Sequence, residues 1–198
     1  MRRLLFILFA VLCSTVCLAQ PQFGIKGGVD INHLYSEGNA NVVNTSFNVG
    51  YTFGVTLDLK ASEQFTVQPE FNYLHLEALN DISQEKWKYN YLTLPVLLKY
   101  RFKDIGFGMY AGPQLGFVVN ASSHLNGKKT DIKDLTTKND FAAVAGLDYR
   151  FENNFRIDFR YQYSFFNTLK TVATDNYKNQ NRVFSVTIGY VFNCSKKS

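Results

Sequence analysis

Apolar and polar side chains alternate along this chain from about Phe23 to Phe192. The clearest run covers residues 47–60, where every second position is Phe, Val, Tyr or Leu. A period of two predicts a β-strand with one apolar face, because successive side chains of a strand point to opposite sides. The runs have roughly ten to fourteen residues, whereas globular strands have about five or six and tilted membrane-crossing strands need about nine to eleven. The pattern therefore favours membrane-spanning strands.

We place eight strands on this pattern, and the connections between them alternate in length. The predicted strands are residues 22–34, 47–60, 65–77, 88–102, 105–119, 139–151, 155–168 and 182–192. The long connections are 35–46, 78–87, 120–138 and 169–181, and the tight ones are 61–64, 103–104 and 152–154. This alternation puts all tight turns at one end of the sheet, as in outer-membrane barrels. We predict an all-β fold, an eight-stranded antiparallel up-and-down transmembrane β-barrel.

The N-terminus has the features of a secretory signal peptide. Arg2 and Arg3 precede an apolar stretch, residues 4–12, and a small-residue cleavage site ends at Ala19. The stretch is too short for a membrane helix and no stop-transfer pattern follows it. We therefore expect a signal peptide over residues 1–19 and a β-barrel domain over residues 20–198.

Cysteine usage leaves one alternative for this segment. Cys13 or Cys17 could be the acylated residue of a lipoprotein, but Leu12 and Val16 before them are bulkier than such a site normally accepts. Cleavage after residue 19 would leave Cys194 alone, which excludes an internal disulfide bond.

Composition is consistent with a single barrel domain. The formal charge of +5 falls to +3 without the two N-terminal arginines, which is too weak and dispersed to indicate nucleic-acid binding. Mean hydropathy is slightly negative, at −0.14, and after the N-terminus no stretch approaches the 18 apolar residues of a membrane helix. A barrel that exposes every second residue to lipid has this average.

Aromatic residues of the apolar face gather in two groups at the strand ends, with aliphatic residues between them. Near the tight turns lie Phe23, Phe65, Tyr100, Phe102, Phe107, Tyr149, Phe151, Phe155, Tyr190 and Phe192. Toward the long loops lie Phe47, Tyr51, Tyr73, Phe117, Phe141, Tyr161, Tyr163 and Phe165. Two aromatic belts are typical of a lipid-facing surface. A soluble ligand-binding barrel, the alternative, has no reason to sort aromatics by height. We therefore predict a location in the bacterial outer membrane.

The opposite face of the strands carries the charged residues. We predict a barrel-interior polar cluster at one height, made of Lys26, Glu70, Lys99, Asp148, Asp158 and Arg160. Since eight strands enclose a lumen just wide enough for side chains, these charges should pair as a closed polar core. Glu70 should pair with Lys99, with Lys26 or Arg160 as further partners. The alternative is a narrow or gated conduit.

Five strand segments have distinctive sequences: YLTLPVLLKYRF at 91–102, YAGPQLGF at 110–117, FGIKGG at 23–28, VQPEF at 67–71 and AGLDY at 145–149. In these segments the sequence resembles the PorT-like outer-membrane β-barrel family. The resemblance covers essentially the whole mature chain and implies an outer-membrane barrel of usually unknown role. The name-giving member is linked to a secretion and gliding apparatus, a role that most relatives are not known to share. Pro95 and Pro113, on neighbouring strands, predict a local bulge.

Candidate chemistry is sparse. Some eight-stranded outer-membrane barrels are lipid-modifying enzymes with a rim histidine, and the candidates here are His33, His75 and His124. None is two residues from an inward serine, and no pair has the spacing of metal ligands. We expect no catalytic residue, no cofactor and no bound metal.

The long loops are where a specific function would lie, because loops on a rigid scaffold carry binding. Residues 120–138 hold four lysines, and Trp87 lies at a strand entrance as a predicted interface anchor. The expected partners are outer-membrane lipid and lipopolysaccharide, with a surface or periplasmic protein as a further candidate, for a monomeric barrel. Two functions remain open, a structural or interaction anchor that displays loops and a transport or secretion component.

Overall fold

The structure, a computed structural model, describes residues 21–37, 48–79, 86–103, 105–125, 128–132, 139–165 and 178–192. The predicted signal peptide, residues 1–19, lies outside the described residues, as do Phe47, Thr168 and Cys194. All secondary structure in the described part of the chain is β-strand and turn.

Nine strands follow one another along these residues. They are β1 (Gln22–Glu37), β2 (Asn48–Lys60), β3 (Phe65–Leu79), β4 (Lys86–Arg101), β5 (Phe107–Leu125), β6 (Lys128–Asp131), β7 (Asn139–Arg150), β8 (Phe155–Ser164) and β9 (Lys178–Phe192).

Antiparallel pairing closes the sheet into a barrel. The ladder runs in the order β4-β3-β2-β1-β9-β8-β7-β5, and β4 pairs with β5 to complete the ring. The short strand β6 adds to the outer end of β5 and is not part of the ring. The predicted eight-stranded antiparallel up-and-down barrel is therefore confirmed.

Several strands extend further at the long-loop end than the hydrophobic pattern predicts. Residues 120–125, expected in a long loop, continue β5 and pair with Lys86–Lys88 of β4 and with β6. In the same way β1 reaches Glu37 by pairing with β9 from Lys178. Ladder hydrogen bonds maintain these extensions above the apolar band, so their side chains need not alternate between apolar and polar.

The predicted bulge lies at a different place. The register between β4 and β5 shifts between Asn90 and Tyr91, where Val119 and Asn120 are both exposed. The pairing of Pro95 with Gln114 and of Pro113 with Ala143 continues the surrounding registers. The prolines are accommodated without a bulge, and the shift occurs where the strands rise past the aromatic belt.

The two faces of the barrel separate as the alternation predicts. Leu94, Val96 and Ala145 are exposed and Ile157 is half-exposed on the outer face, whereas Gln68 and Asn72 are buried on the inner face. No helix in the described part of the chain is long and apolar enough to cross a membrane.

Both aromatic belts are present on the outer face. At the tight-turn end rings meet in the pairs Phe65–Tyr100, Tyr100–Phe102, Phe102–Phe107, Tyr149–Phe151, Phe155–Tyr190 and Tyr190–Phe192. Toward the long loops the pairs are Tyr51–Tyr73, Phe53–Tyr73, Phe141–Phe165, Tyr163–Phe165 and Tyr161–Phe184. Strand β8 has ten residues and carries aromatic residues of both belts. At about 3.3 Å per residue and a tilt of about 40°, it rises about 25 Å, the height of a lipid-facing band.

Substitution of Val96 by Arg should destabilise the barrel in a bilayer by about 2–4 kcal/mol, because Val96 lies midway between the belts and is 49% exposed on the outer face. The matched control is Val49→Arg, two residues beyond Tyr51 of the outer belt, where the same change should cost about 0–1 kcal/mol. Reversible unfolding in lipid vesicles measures both losses. Equal losses at the two heights would contradict the lipid-facing assignment.

Candidate functional site

The six residues of the predicted interior cluster all point into the lumen and are buried. Their exposed fractions do not exceed 8% for Lys26, Glu70, Lys99, Asp148, Asp158 and Arg160. They come from β1, β3, β4, β7 and β8, so the barrel itself brings them together.

Glu70 lies at the centre of the main group of contacts. Lys26 Nζ donates to Glu70 Oε2 at 2.7 Å, and the two terminal nitrogens of Arg160 donate to its two oxygens at 2.9 Å each. Gln68 Nε2 and Asn72 Nδ2, its inward neighbours on β3, donate to the same carboxylate. One carboxylate therefore accepts from two cations and two amides, which is the charge-assisted pairing that a buried charge requires.

The predicted pairing of Glu70 with Lys99 is wrong. Among the ion pairs of described residues, Lys99 Nζ instead lies 3.4 Å from Asp148 Oδ1, and Arg101 Nη2 lies 3.0 Å from Asp148 Oδ2. The β3–β4 register explains the difference, since Lys99 pairs with Thr66 and so lies four residues below Glu70 on the adjacent strand. Counting residues from the tight-turn end of each strand does not account for this stagger.

Tyr110 separates these two groups of charges. Its hydroxyl accepts from Arg160 Nε at 3.2 Å, and Lys99 Nζ lies 4.8 Å from the centre of its ring. Gly146 makes room for it, because a Cβ at that position would collide with the Tyr110 hydroxyl. The alternation of apolar and polar residues does not predict that Tyr110 lies between these two groups of charges.

Arg156 forms a further group near the tight-turn end. Its guanidinium donates to Asp58 Oδ2 at 3.3 Å, to Gln68 Oε1 at 3.0 Å and to Thr56 Oγ1 at 3.2 Å. Gln68 therefore joins the Arg156 group to Glu70. Asp58 and Arg156 are recognisable from the sequence as inward charges, but their pairing across the lumen depends on the barrel's stagger.

An apolar cluster lies above the ion pairs, at the long-loop end of the lumen. It consists of Leu74, Leu76, Tyr89, Tyr91, Val118, Ala121, Ile132 and Val183. We call it the apolar cap. Trp87 packs against the cap from the inner face of β4, so its predicted role as an interface anchor is wrong. The shift to the inner face follows from its pairing with Ala78, which places Lys86 and Lys88 outside.

Comparison with protein families identifies this architecture. A family model described as "Outer membrane protein beta-barrel domain" matches residues 18–170. The chain belongs to this family. It is accordingly a protein of the bacterial outer membrane, with the barrel as its membrane-spanning part.

Solved structures with the same fold are distant in sequence. The crystal structure of Neisserial surface protein A is 13% identical, with a TM-score of 0.60 over 86% of this chain and 97% of that one. The attachment invasion locus protein of Yersinia pestis, Ail, crystallised with the heparin analogue sucrose octasulfate, is 16% identical. Its TM-score is 0.53 over 87% of this chain and 99% of that one. A comparison with curated proteins finds no match.

At the loop end of this outer-membrane barrel, a charged group lies on the outer face. The Glu77 carboxylate forms salt bridges with Lys86 Nζ and Lys88 Nζ, each at 2.8 Å. His75 lies beside Glu77, bonds to Asn90 and stacks on Tyr51 with 4.7 Å between ring centres. We call this group the rim cluster.

The other histidines contribute less to a site. His124 is part of β5, where it pairs with Lys86 and Lys129, and does not lie in a loop as predicted. The backbone of His33 pairs with Arg182 in the β1–β9 ladder. Among the described residues, no three His, Cys, Asp or Glu side chains are arranged to hold a metal ion.

Glu70→Gln should destabilise this outer-membrane barrel by about 3–5 kcal/mol, because it leaves the buried Lys26 without its carboxylate partner. Lys26→Met should cost less, because Glu70 keeps its contacts with Arg160. The double variant should lose clearly less than the sum, since the two groups are in direct contact. A double-mutant cycle of unfolding free energies in lipid vesicles measures this coupling.

The matched control is the same double-mutant cycle with Lys99→Met in place of Lys26→Met. Lys99 is also a buried lysine, but it contacts Asp148 and Tyr110. Its coupling to Glu70→Gln should be the smaller of the two. A larger coupling for Lys99 would show that Glu70 pairs with Lys99 in the membrane, as the sequence predicts, and not with Lys26.

Proposed function

We propose that this protein is a non-enzymatic structural or interaction anchor, a barrel with a closed polar core that displays loops outside the cell. The observation that carries this proposal is the filling of the lumen. Buried charged side chains occupy its lower part and the apolar cap its upper part. The cavity between them has a volume of about 10 Å³. That is about the space of one water molecule, which supports a closed lumen over the described residues.

The charge balance of the core supports the same proposal. Each buried cation of the three groups around Glu70, Asp148 and Arg156 lies within 4 Å of a carboxylate. A conducting pore needs polar groups that face water, whereas these charged groups form ion pairs with one another. Opening the lumen would require breaking several charge-assisted contacts at once.

The loop end is the part that we assign to recognition. In barrels of this class the tight turns face the periplasm and the long connections face outward. Strands β5 and β6 form a hairpin that rises beyond the ring, with Lys129, Thr130 and Asp131 exposed. We propose this hairpin and the neighbouring loops as the surface that a protein partner contacts, with the barrel itself monomeric.

Lipid is the second partner that we propose. The rim cluster presents Lys86 and Lys88 against a single Glu77, on the outer face just beyond the aromatic belt. Two cations against one carboxylate leave a positive charge at the height of lipid headgroups. This supports contact with the phosphates of lipopolysaccharide, together with the hydrocarbon contacts of the exposed aliphatic face.

The absence of catalysis is also part of the proposal. His75, the rim histidine with described side-chain contacts, interacts with Tyr51, Asn90 and Glu77. A stacking ring and an amide position a histidine but supply no nucleophile for it. We also propose the narrower PorT-like assignment, because the strand around Pro95 resembles the motif of that family.

Purified protein in planar bilayers should show no steady conductance, because the lumen is filled from the tight turns to the cap. The matched control is Glu70→Gln, which loosens the ion pairs but leaves the apolar cap in place and should also remain closed. A steady, voltage-independent current through the wild-type barrel would contradict the closed core and favour the transport alternative.

Cysteine labelling should show which end of the barrel faces outward. In a Cys194→Ser background, Lys129→Cys should react with a membrane-impermeant thiol reagent on intact cells. Ser62→Cys, in the tight turn between β2 and β3, should react only after the outer membrane is permeabilised. Labelling of Ser62→Cys alone on intact cells would invert the topology.

A further inference from the structure

A small chamber lies between the ion pairs of Glu70 and the apolar cap. Its walls include Asp30 of β1, Asn72 of β3, Gln114 of β5 and Thr187 of β9, with Leu74 of the cap above. Lys26 and Arg160 also reach it from below. It is thus closed by charge on one side and by apolar side chains on the other.

Four side chains of this chamber have polar atoms that make no hydrogen bond. These atoms are both carboxylate oxygens of Asp30, Oδ1 of Asn72, Nε2 of Gln114 and Oγ1 of Thr187. The residues are 0%, 4%, 2% and 1% exposed, so bulk water does not reach them. Buried polar groups are almost always hydrogen-bonded, so four such side chains in one chamber indicate a binding site for a small polar ligand.

Ser185 does not remove this deficit. It faces Asp30 across the β1–β9 ladder and interacts with its carboxylate, yet the contact does not have hydrogen-bond geometry. The orientation of Asn72 is also determined, because its Nδ2 donates to Glu70 Oε2 at 3.0 Å. Oδ1, the other polar atom of this chamber residue, is therefore an acceptor.

The donors and acceptors of the chamber select the ligand. The carboxylate and amide oxygens accept, Gln114 Nε2 donates, and the Thr187 hydroxyl does either. A ligand that bridges the Asp30 carboxylate, Asn72 Oδ1 and Gln114 Nε2 must donate two hydrogen bonds and accept one. A bare cation would satisfy the oxygens but leave the Gln114 N–H without a partner. A water molecule supplies both functions.

The volume of the chamber agrees with water as the ligand. The cavity has a volume of about 10 Å³, and one water needs about 10–15 Å³ by the same kind of measure. The chamber therefore has the size of a site for one water molecule.

We propose that the chamber binds a single long-lived water molecule, which donates to Asp30 and Asn72 and accepts from Gln114. This inference rests on the closed core proposed above and adds to it a specific hydration site. The water would connect β1, β3 and β5 across the lumen and complete the polar layer beneath the cap.

The Gln114 side-chain amide is a direct probe of this water. In nanodisc-embedded protein, water-to-amide cross-relaxation by NMR should give Gln114 Nε2 a cross-peak with the sign of a bound water. Gln68 Nε2 is the internal control, because it donates to Glu70 in the ion-pair layer and should show none.

Thr187→Ile replaces the hydroxyl in the chamber with a bulkier ethyl group, and it should abolish the Gln114 cross-peak. Thr66→Ile is the matched control, a half-buried inner-face threonine near the tight turns, and should preserve it. If Thr187→Ile does not fold, the comparison of Gln114 with Gln68 in the wild type still decides.

Three results would overturn the hydration site. The first is that Gln114 Nε2 shows no water cross-peak in the wild type, and the second is that its cross-peak persists in Thr187→Ile. The third is that the NMR chemical shifts of the chamber amides differ between sodium and N-methylglucamine salts at equal ionic strength. The last result would identify a cation as the ligand. Bulk-like water at both Gln114 and Gln68, together with conductance, would instead contradict the closed core itself.

Discussion

The interior of this protein depends on one constraint, which is that an eight-stranded barrel encloses only enough space for its own side chains. Inward charges in such a lumen cannot keep their hydration and must find partners within it. Glu70 meets this condition most completely, with two cations and two amides around one carboxylate. Because its partners come from β1, β3 and β8, the same contact that neutralises Glu70 also connects strands that are not adjacent.

This constraint accounts for the layered lumen. Charged pairs fill the lower part, a small polar chamber follows, and the apolar cap closes the end nearest the loops. The outer face has no such requirement, since lipid covers it, and it varies only with height from one aromatic belt to the other. Function is therefore expected where neither constraint applies, on the strand extensions and loops beyond the membrane.

The fold and the faces could be predicted from the sequence because they depend on local periodicity. Alternation over ten or more residues determines which side chains face lipid, and Leu94 and Val96 lie where it places them. The clustering of Phe and Tyr at strand ends likewise follows from position along the chain.

Partners across the lumen could not be predicted in the same way. Which inward residues meet depends on the stagger of the strands, which moves Lys99 away from Glu70 and toward Asp148. Trp87 and residues 120–125 were predicted wrongly for a related reason. Strand pairing beyond the apolar band determines the positions of these residues, and the hydrophobic pattern does not predict that pairing.

The most direct test of a packed, ion-paired core is the hydrogen exchange of the Arg160 guanidinium in a lipid bilayer. Arg101, whose side chain is 26% exposed near the tight turns, is the internal reference. If Glu70 holds Arg160 in a lumen without bulk water, the Arg160 N–H protons should exchange far more slowly than those of Arg101. Exchange of both side chains at the same rate would contradict the account.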